Sequence, residues 1–254
     1  AISNESNDVI ARKANLLEMI GRNLQLLKKT AQTEKAFNAA WSLDPAKEIP
    51  LRLELAILYD QEAQMEEALG QYRAVLRHSP DSEMGAMNAD LLFTRQGAPG
   101  QRIAFWEDIA QARPAAVHPW LRLGAALEAA GDDAAAADAY ATAFRRQPEM
   151  PEAAVRYAAF SVGALEPEVL RDILERALAD APDLTPLAVQ GLVKSGSILM
   201  EQGRAGEALV AFTLAAEYHP ENEWIQLKRA QALAATGKED EAQKVFELLL
   251  AGAH

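Results

Sequence analysis

An all-α fold of tandem helical hairpins, an α-solenoid, is what this sequence predicts, and three observations predict it. Trp120, Leu123, Gly124 and Leu127 fall at i, i+3, i+4 and i+7, which is one face of a helix. Gly131-Asp132-Asp133 breaks that pattern, Ala136, Tyr140 and Ala143 mark the inner face of a second helix, and Pro148 stops it. The same frame of 34 residues, laid on both sides of this stretch, fills almost the whole chain.

The central stretch, WLRLGAALEAAGDDAAAADAYATAFRRQP, carries W-x2-L-G-x2-L, a turn Gly, A-x3-Y-x2-A and a closing Pro, and it resembles a tetratricopeptide repeat. The resemblance covers about residues 14–254 and implies about seven hairpins of two antiparallel helices. A single hairpin cannot bury its apolar face, so stacked neighbours supply the core and, in that family, curve into a right-handed superhelix.

Residues 1–13 open on the polar run AISNESND and are expected to fray before the first helix. Repeat 14–47 has Leu17, Ile20, Gly21 and Leu24 on its first helix, then Phe37, Ala40 and Pro45; Lys28 stands where the turn Gly belongs. Repeat 49–82 carries Leu55, Ala56 and Tyr59, then Ala68, Tyr72, Val75 and Pro80. Repeat 83–116 diverges. It has Asp90 where a small residue is expected, Arg102 in the slot of a tightly packed Ala, and an open turn at Gly97-Ala98-Pro99-Gly100. Repeat 117–150 is the central one. Repeat 151–184 keeps Tyr157, Ala158, Leu174, Ala177 and Pro182, has Leu165 at the turn-Gly position, and starts its second helix at Pro167. Four extra residues, Thr185–Ala188, precede repeat 189–222, which has Leu192, Gly196, Leu199, Gly203, Ala208, Phe212, Ala215 and Pro220. Repeat 223–254 keeps Ala230, Leu233, Gly237, Ala242 and Phe246. It holds Gln226 and Arg229 where Trp and Leu belong, so Trp224 and Leu227 are expected to supply that face in a shifted register.

Half of the 254 residues are apolar, enough for a large core. Asp and Glu number 37 against 25 Lys and Arg, a formal net charge of −12 that repels phosphate backbones, so nucleic acid is not an expected partner. Absence of cysteine excludes disulfides and thiolate metal sites and leaves the redox compartment open. No apolar run is long enough to span a bilayer. The first residue is Ala, with no signal peptide before it, so the expectation is a removed leader or a segment of a longer chain. Asn4-Glu5-Ser6 matches a glycosylation sequon, a pattern too short to carry weight.

No metal-ligand spacing, phosphate-cradling Gly loop or nucleophile turn occurs, so neither cofactor nor catalytic residue is expected and the chain reads as non-enzymatic. His78, His118, His219 and His254 lie far apart; His78 and His219 sit at second-helix ends, where the dipole favours them. Ser195 and Ser197, in the run from Gly191, lie inside a predicted helix where small residues serve close packing. Glu66-Glu67, Asp132-Asp133 and Glu239-Asp240-Glu241 open second helices at the positive end of the dipole.

The resemblance implies that the first helix of each hairpin lines a concave groove. The groove positions hold Leu53, Ile57, Met84, Met87, Leu91, Arg95, Leu121, Val155, Met200 and Trp224, with His118, Ala125, Ala159, Val162, Val193, Ser197 and Leu227 beside them. An apolar stripe with three Met suits an amphipathic helix or extended apolar peptide of a partner protein. The competing reading is that a tightly wound superhelix, or the N-terminal segment, fills it. Where some members grip a chaperone's C-terminal carboxylate with Lys and Asn, this chain has Glu18 and Arg22, so that pattern is absent. Val245, Phe246, Leu248, Leu249 and Leu250 make the last helix apolar on more than one face without a polar cap. That end is expected to continue into further chain or to self-associate through the C-terminal helix.

The predicted function is a non-catalytic protein-interaction scaffold. The alternatives are a periplasmic module of a bacterial envelope machine for polysaccharide export, secretion or pilus assembly, and the repeat region of a larger enzyme. Ala-, Leu- and Arg-rich repeats suggest a bacterial chain, in the cytoplasm or, slightly favoured, the periplasm.

Overall fold

Helix boundaries follow the Gly and Pro punctuation. The computed structural model describes residues 2–252, with side chains from Asn7 to Ala251, and fourteen α-helices run through them. Residues 1–114 form one compact unit and residues 115–254 a second. The first unit holds α1 (Ile2–Leu26), α2 (Thr30–Leu43), α3 (Glu48–Gln61), α4 (Met65–His78), α5 (Glu83–Gln96) and α6 (Pro99–Ala112). The second holds α7 (Val117–Ala130), α8 (Asp133–Arg146), α9 (Pro151–Phe160), α10 (Pro167–Asp180), α11 (Thr185–Glu201), α12 (Ala205–Tyr218), α13 (Glu223–Ala235) and α14 (Glu239–Gly252). Odd and even helices pair as hairpins; α3, α5, α9 and α13 each pack on the second helix of the hairpin before them, whereas α11 packs on α9.

Each hairpin turn places one residue in the left-handed region, which ends a helix cheaply only with Gly. Gly97 (φ +62°) and Gly131 (φ +83°) do this, but Lys28 (φ +55°) and Ala63 (φ +59°) adopt the same conformation without being Gly. In the fifth hairpin the left-handed residue is Gly163 and not Leu165, because α9 stops at Phe160 and an irregular turn leads to Pro167. The four extra residues lengthen the start of α11, after a short 3-10 turn at Pro182–Leu184. α1 is helical from Ile2, so the expected frayed extension is continuous with the first repeat helix. The last hairpin keeps its register: Ile225 is buried and Trp224 is exposed, so the expected shift does not occur.

One contact recurs inside the hairpins. A small residue on the first helix recurs sixteen positions before a large one on the second, as Gly21 and Phe37, Ala56 and Tyr72, Gly124 and Tyr140, Ala158 and Leu174, Gly196 and Phe212, and Ala230 and Phe246, and at the three glycines the large ring lies directly against the small residue. A Cβ at Gly21 or Gly124 would come within 2.4 Å of ring atoms, and one at Gly196 within 2.8 Å. Phe37, Tyr140 and Phe212 are fully buried, so those rings have nowhere to go.

The third hairpin breaks the rule and compensates. Asp90 replaces the small residue, and its Oδ1 accepts from Trp106 Nε1 at 2.8 Å, the residue sixteen positions on, and from Arg102 Nε at 2.7 Å. Asp90 and Arg102, the two departures noted in the sequence, are one ion pair. Both are largely buried, at 13% and 21% side-chain exposure.

Helix propensity favours Ala over Gly by about 1 kcal/mol, whereas overpacking a filled core costs about 1–3 kcal/mol. At Gly124 the clash wins: Gly124→Ala is expected to lower the melting temperature, while Gly70→Ala, with nothing within 4 Å of the new Cβ, raises it. Asp90→Ala strands a guanidinium and an indole N–H and is expected to cost about 2–3 kcal/mol in urea titrations. Asp90→Ala/Arg102→Ala recovers part of that loss; strictly additive losses would mean the pair does not act as a unit.

Candidate functional site

An open apolar strip of the first unit lies on α3 and α5. Leu53, Ile57 and Asp60 form one stripe along α3, and Met84, Met87, Leu91 and Arg95 form one along α5, since each set is spaced three or four residues apart. Arg95 Nη2 donates to both carboxylate oxygens of Asp60 at 2.5 Å, which fastens the ends of the two stripes side by side. Met84, Met87 and Leu91 are 54%, 58% and 52% exposed, and Leu53 and Ile57 are half-buried beside them. Arg95 is half-exposed, so the ion pair is worth no more than about 1 kcal/mol; its effect is alignment.

A charged border flanks this strip on the α1 side. Arg22 donates to Glu54 at 2.8 Å and pairs with Glu18 at 2.9 Å, and Lys47 Nζ reaches Glu18 at 2.5 Å. The hydrogen bond that Arg22 donates to Glu54 raises its guanidinium above its ordinary value.

Two predicted groove residues belong to the core instead. Leu121 is 4% exposed and clusters with Val117, Ala136 and Tyr140, while Val155 is fully buried with Ala158 and Leu170. Ala159 and Val162 are buried as well. For Val155, Ala159 and Val162 the cause is close approach: a Cβ at Gly191 of α11 would meet that of Ala159 of α9 at 2.7 Å, and helices this near close the face between them. Ser195 seals the same contact by donating to the Ala159 carbonyl at 2.6 Å, a packing role. Met200 and Val193 are half-buried against the second unit's core. Trp224 is 50% exposed at the start of α13, with Lys228 Nζ 5.2 Å over its ring.

The polar cluster of the second unit is internally paired. Tyr140 Oη donates to Glu128 at 2.8 Å, Arg156 Nη1 donates to Glu128 at 3.0 Å, and Lys194 Nζ pairs with Asp133 at 2.5 Å. Burial foremost pushes the Tyr140 phenol up, so it remains a donor at neutral pH. These groups stitch α7, α8, α9 and α11 together. The acidic first turns and the exposed His78 and His219 sit at helix ends as anticipated, with Asp132 capping Ala135 N at 3.1 Å. His254 lies outside the described residues. Among the described residues no group of three or more His, Asp or Glu is arranged to hold a metal ion, and no helix is long and apolar enough to cross a membrane.

The sequence reading did not single out α1. Leu16, Met19 and Ile20 are exposed on it, as are Leu26 and Leu27 at its end.

A tetratricopeptide-repeat profile matches residues 199–254, the last hairpins of the chain. No match was found among curated protein sequences. Among solved structures, MamA superposes with a TM-score of 0.46 at 20% identity, over 65% of this chain and 88% of that one. A tetratricopeptide repeat protein from Parabacteroides merdae gives 0.46 at 14% identity, over 81% of this chain and 80% of its own. A structure of Naa15/Naa10 bound to HypK-THB gives 0.48 at 17% identity, over 94% of this chain and 36% of that one. The fold assignment rests on the hairpins themselves and on the repeat profile. Repeats of the type that the profile matches are generally non-catalytic interaction modules.

Exposure separates the predicted residues experimentally. Met87→Glu is expected to leave helicity and melting within about 0.5 kcal/mol of wild type. Leu121→Glu buries a charge and should unfold the second unit, read as a lost circular-dichroism transition.

Proposed function

We propose that this chain, a tetratricopeptide-repeat protein, is a non-catalytic scaffold that holds an apolar segment of a partner protein along α3 and α5. The reading is carried by one observation: Met84, Met87 and Leu91 stand more than half exposed in a single line, flanked by Leu53 and Ile57 and closed by the Asp60–Arg95 pair. Apolar side chains scattered singly on a surface need no explanation, but an aligned set does. The line spans two helical turns, about 10 Å, and matches the spacing of anchors on an amphipathic helix. Methionine suits such a role, because its unbranched thioether adapts to differently shaped partners.

The fitting ligand is therefore a helix or extended segment with apolar residues at i, i+3 or i+4, and i+7. Arg95 contributes by holding the two stripes in line through Asp60, and Trp224 would be a separate contact in the second unit. Burying one such side chain contributes about 1.5 kcal/mol, so two charges placed in the strip should weaken binding on the order of 100-fold or more.

The test is affinity capture from native-host lysate with the wild-type chain and with Met84→Glu/Met87→Glu. The expected result is a protein retained by wild type and absent from the variant, whose fold remains intact by circular dichroism. Equal recovery of every partner on both baits would overturn the reading.

A further inference from the structure

Several ion pairs that tie one helix to another are balanced. Arg95 of α5 meets Asp60 of α3, and Arg171 of α10 meets Glu217 of α12, one cation to one anion. Arg22 and Lys47 share Glu18 and Glu54, two to two. The contact between α4 and α6 is different. Arg77 Nη2 lies 2.5 Å from Asp108 Oδ1, and Arg73 Nε lies 3.2 Å from Asp108 Oδ2. Arg113, just past α6, donates from Nε to the Arg77 carbonyl and makes no ion pair among the described residues. The neighbouring Glu107 is engaged by Gln111 of its own helix at 3.2 Å. Three guanidiniums thus gather round one carboxylate, a surplus of two positive charges in a chain of net charge −12.

Helix ends account for only part of this arrangement. Arg77 stands in the last turn of α4 and Arg113 follows α6, where the negative end of the dipole favours a cation. Arg73 lies a turn earlier, and its guanidinium is held over the buried Phe105 ring, 5.3 Å from the centroid. Neither Arg73 Nε nor Asp108 Oδ2 has a hydrogen-bond partner among the described residues, so the carboxylate attracts Arg73 without tying up its N–H groups. Arg73 and Arg77 are about half-exposed and Arg113 is exposed, so the donors are open to solvent.

We propose that Arg73, Arg77 and Arg113 form a binding site for a phosphorylated side chain of a partner protein. Charge decides the ligand class. The surplus is two positive charges at one place, and a phosphorylated serine or threonine carries nearly two negative charges on a single group at neutral pH. Its terminal oxygens accept from planar guanidinium forks, which are supplied here from α4 and from the end of α6. A long acidic run or a nucleic-acid strand would bring its further charges against the rest of a chain of net charge −12, whereas a single dianion meets only the arginines. The site belongs to the second helices α4 and α6 and shares no residue with the strip on α3 and α5, so the two are tested separately.

The test is titration of the whole chain, at constant ionic strength, with three blocked peptides, followed through the arginine Nε–Hε signals by NMR. The probes are a phosphoserine flanked by alanines, the same peptide with unmodified serine, and a counterpart with two adjacent glutamates. Saturable shifts of the Arg73 and Arg77 signals are expected with the phosphopeptide, binding at least about tenfold weaker with the glutamate peptide, and no shift with the serine peptide. Arg77→Gln/Arg113→Gln, at exposed positions, should keep a cooperative melt and weaken the phosphopeptide at least about tenfold. Arg113→Gln alone, which breaks no ion pair, should weaken it in the same direction. Asp108→Asn, which removes the competing carboxylate, should tighten it. Met84→Glu/Met87→Glu should bind the phosphopeptide as wild type does, so a failure of the strip and a failure of this site are read apart. The proposal is overturned by the absence of saturable shifts up to the solubility of the phosphopeptide, or by equal affinity for the glutamate peptide. Unchanged affinity in the folded arginine variants, or Asp108→Asn that fails to tighten binding, overturns it as well.

Discussion

The distance between the two helices of a hairpin is set by one contact, a small residue over a large side chain sixteen positions later, and the rest of the molecule depends on it. At Gly124 and Tyr140 the ring lies where a Cβ would be, so the helices approach as closely as backbone and ring allow. That spacing fixes which faces of the pair point toward the neighbouring hairpins. Those faces then fill with Leu, Val and Ala, each contributing on the order of 25 cal/mol per Å² of apolar surface removed from water. Burial supplies most of the stabilisation, but the small-over-large contact decides where it can occur.

The third hairpin makes the point by exception. Asp90 is too large and too polar for the slot, yet the helices stay paired because its carboxylate bonds the indole N–H of the residue that would otherwise lie beneath a small side chain. A buried carboxylate is tolerable only when its lone pairs are engaged, and Arg102 engages the same oxygen. Asp90 sits on α5 between Met87 and Leu91 in sequence and faces α6. By fixing the rotation of α5, the buried ion pair fixes which residues remain outside, and those are Met84, Met87 and Leu91. The least typical repeat thus carries an open apolar strip.

The periodic part of the structure was legible in the sequence because it is written locally. Turn residues, closing prolines and the apolar face of each helix all reside within one repeat, and Pro167 opened α10 where it was expected. Exposure was less legible, because it depends on how near the adjacent hairpin comes. Leu121 and Val155 satisfy the groove rule by repeat position and are nevertheless core; Leu121 packs with Tyr140 of α8 and Ala153 of α9, and Val155 lies on the face closed by the tight α9–α11 approach at Gly191 and Ala159, residues 32 positions apart in the chain. Lys28 and Ala63 mark the opposite case, where the demand for a left-handed residue at the turn overrides the lack of Gly, since the helices on both sides are already committed.

Exposed apolar residues gain meaning only against a standard. A large share of any folded surface is apolar, so Leu16 or Leu250 considered alone would be unremarked. A repeat protein supplies the standard internally: the same position is built several times, and burial at one copy states what the geometry asks of the others. By that measure Met84, Met87 and Leu91 are exposed where repeat position puts groove residues, whereas Leu16, Ile20 and Leu250 are exposed where the interior positions belong. The first set can stay wet in a free protein and still bind.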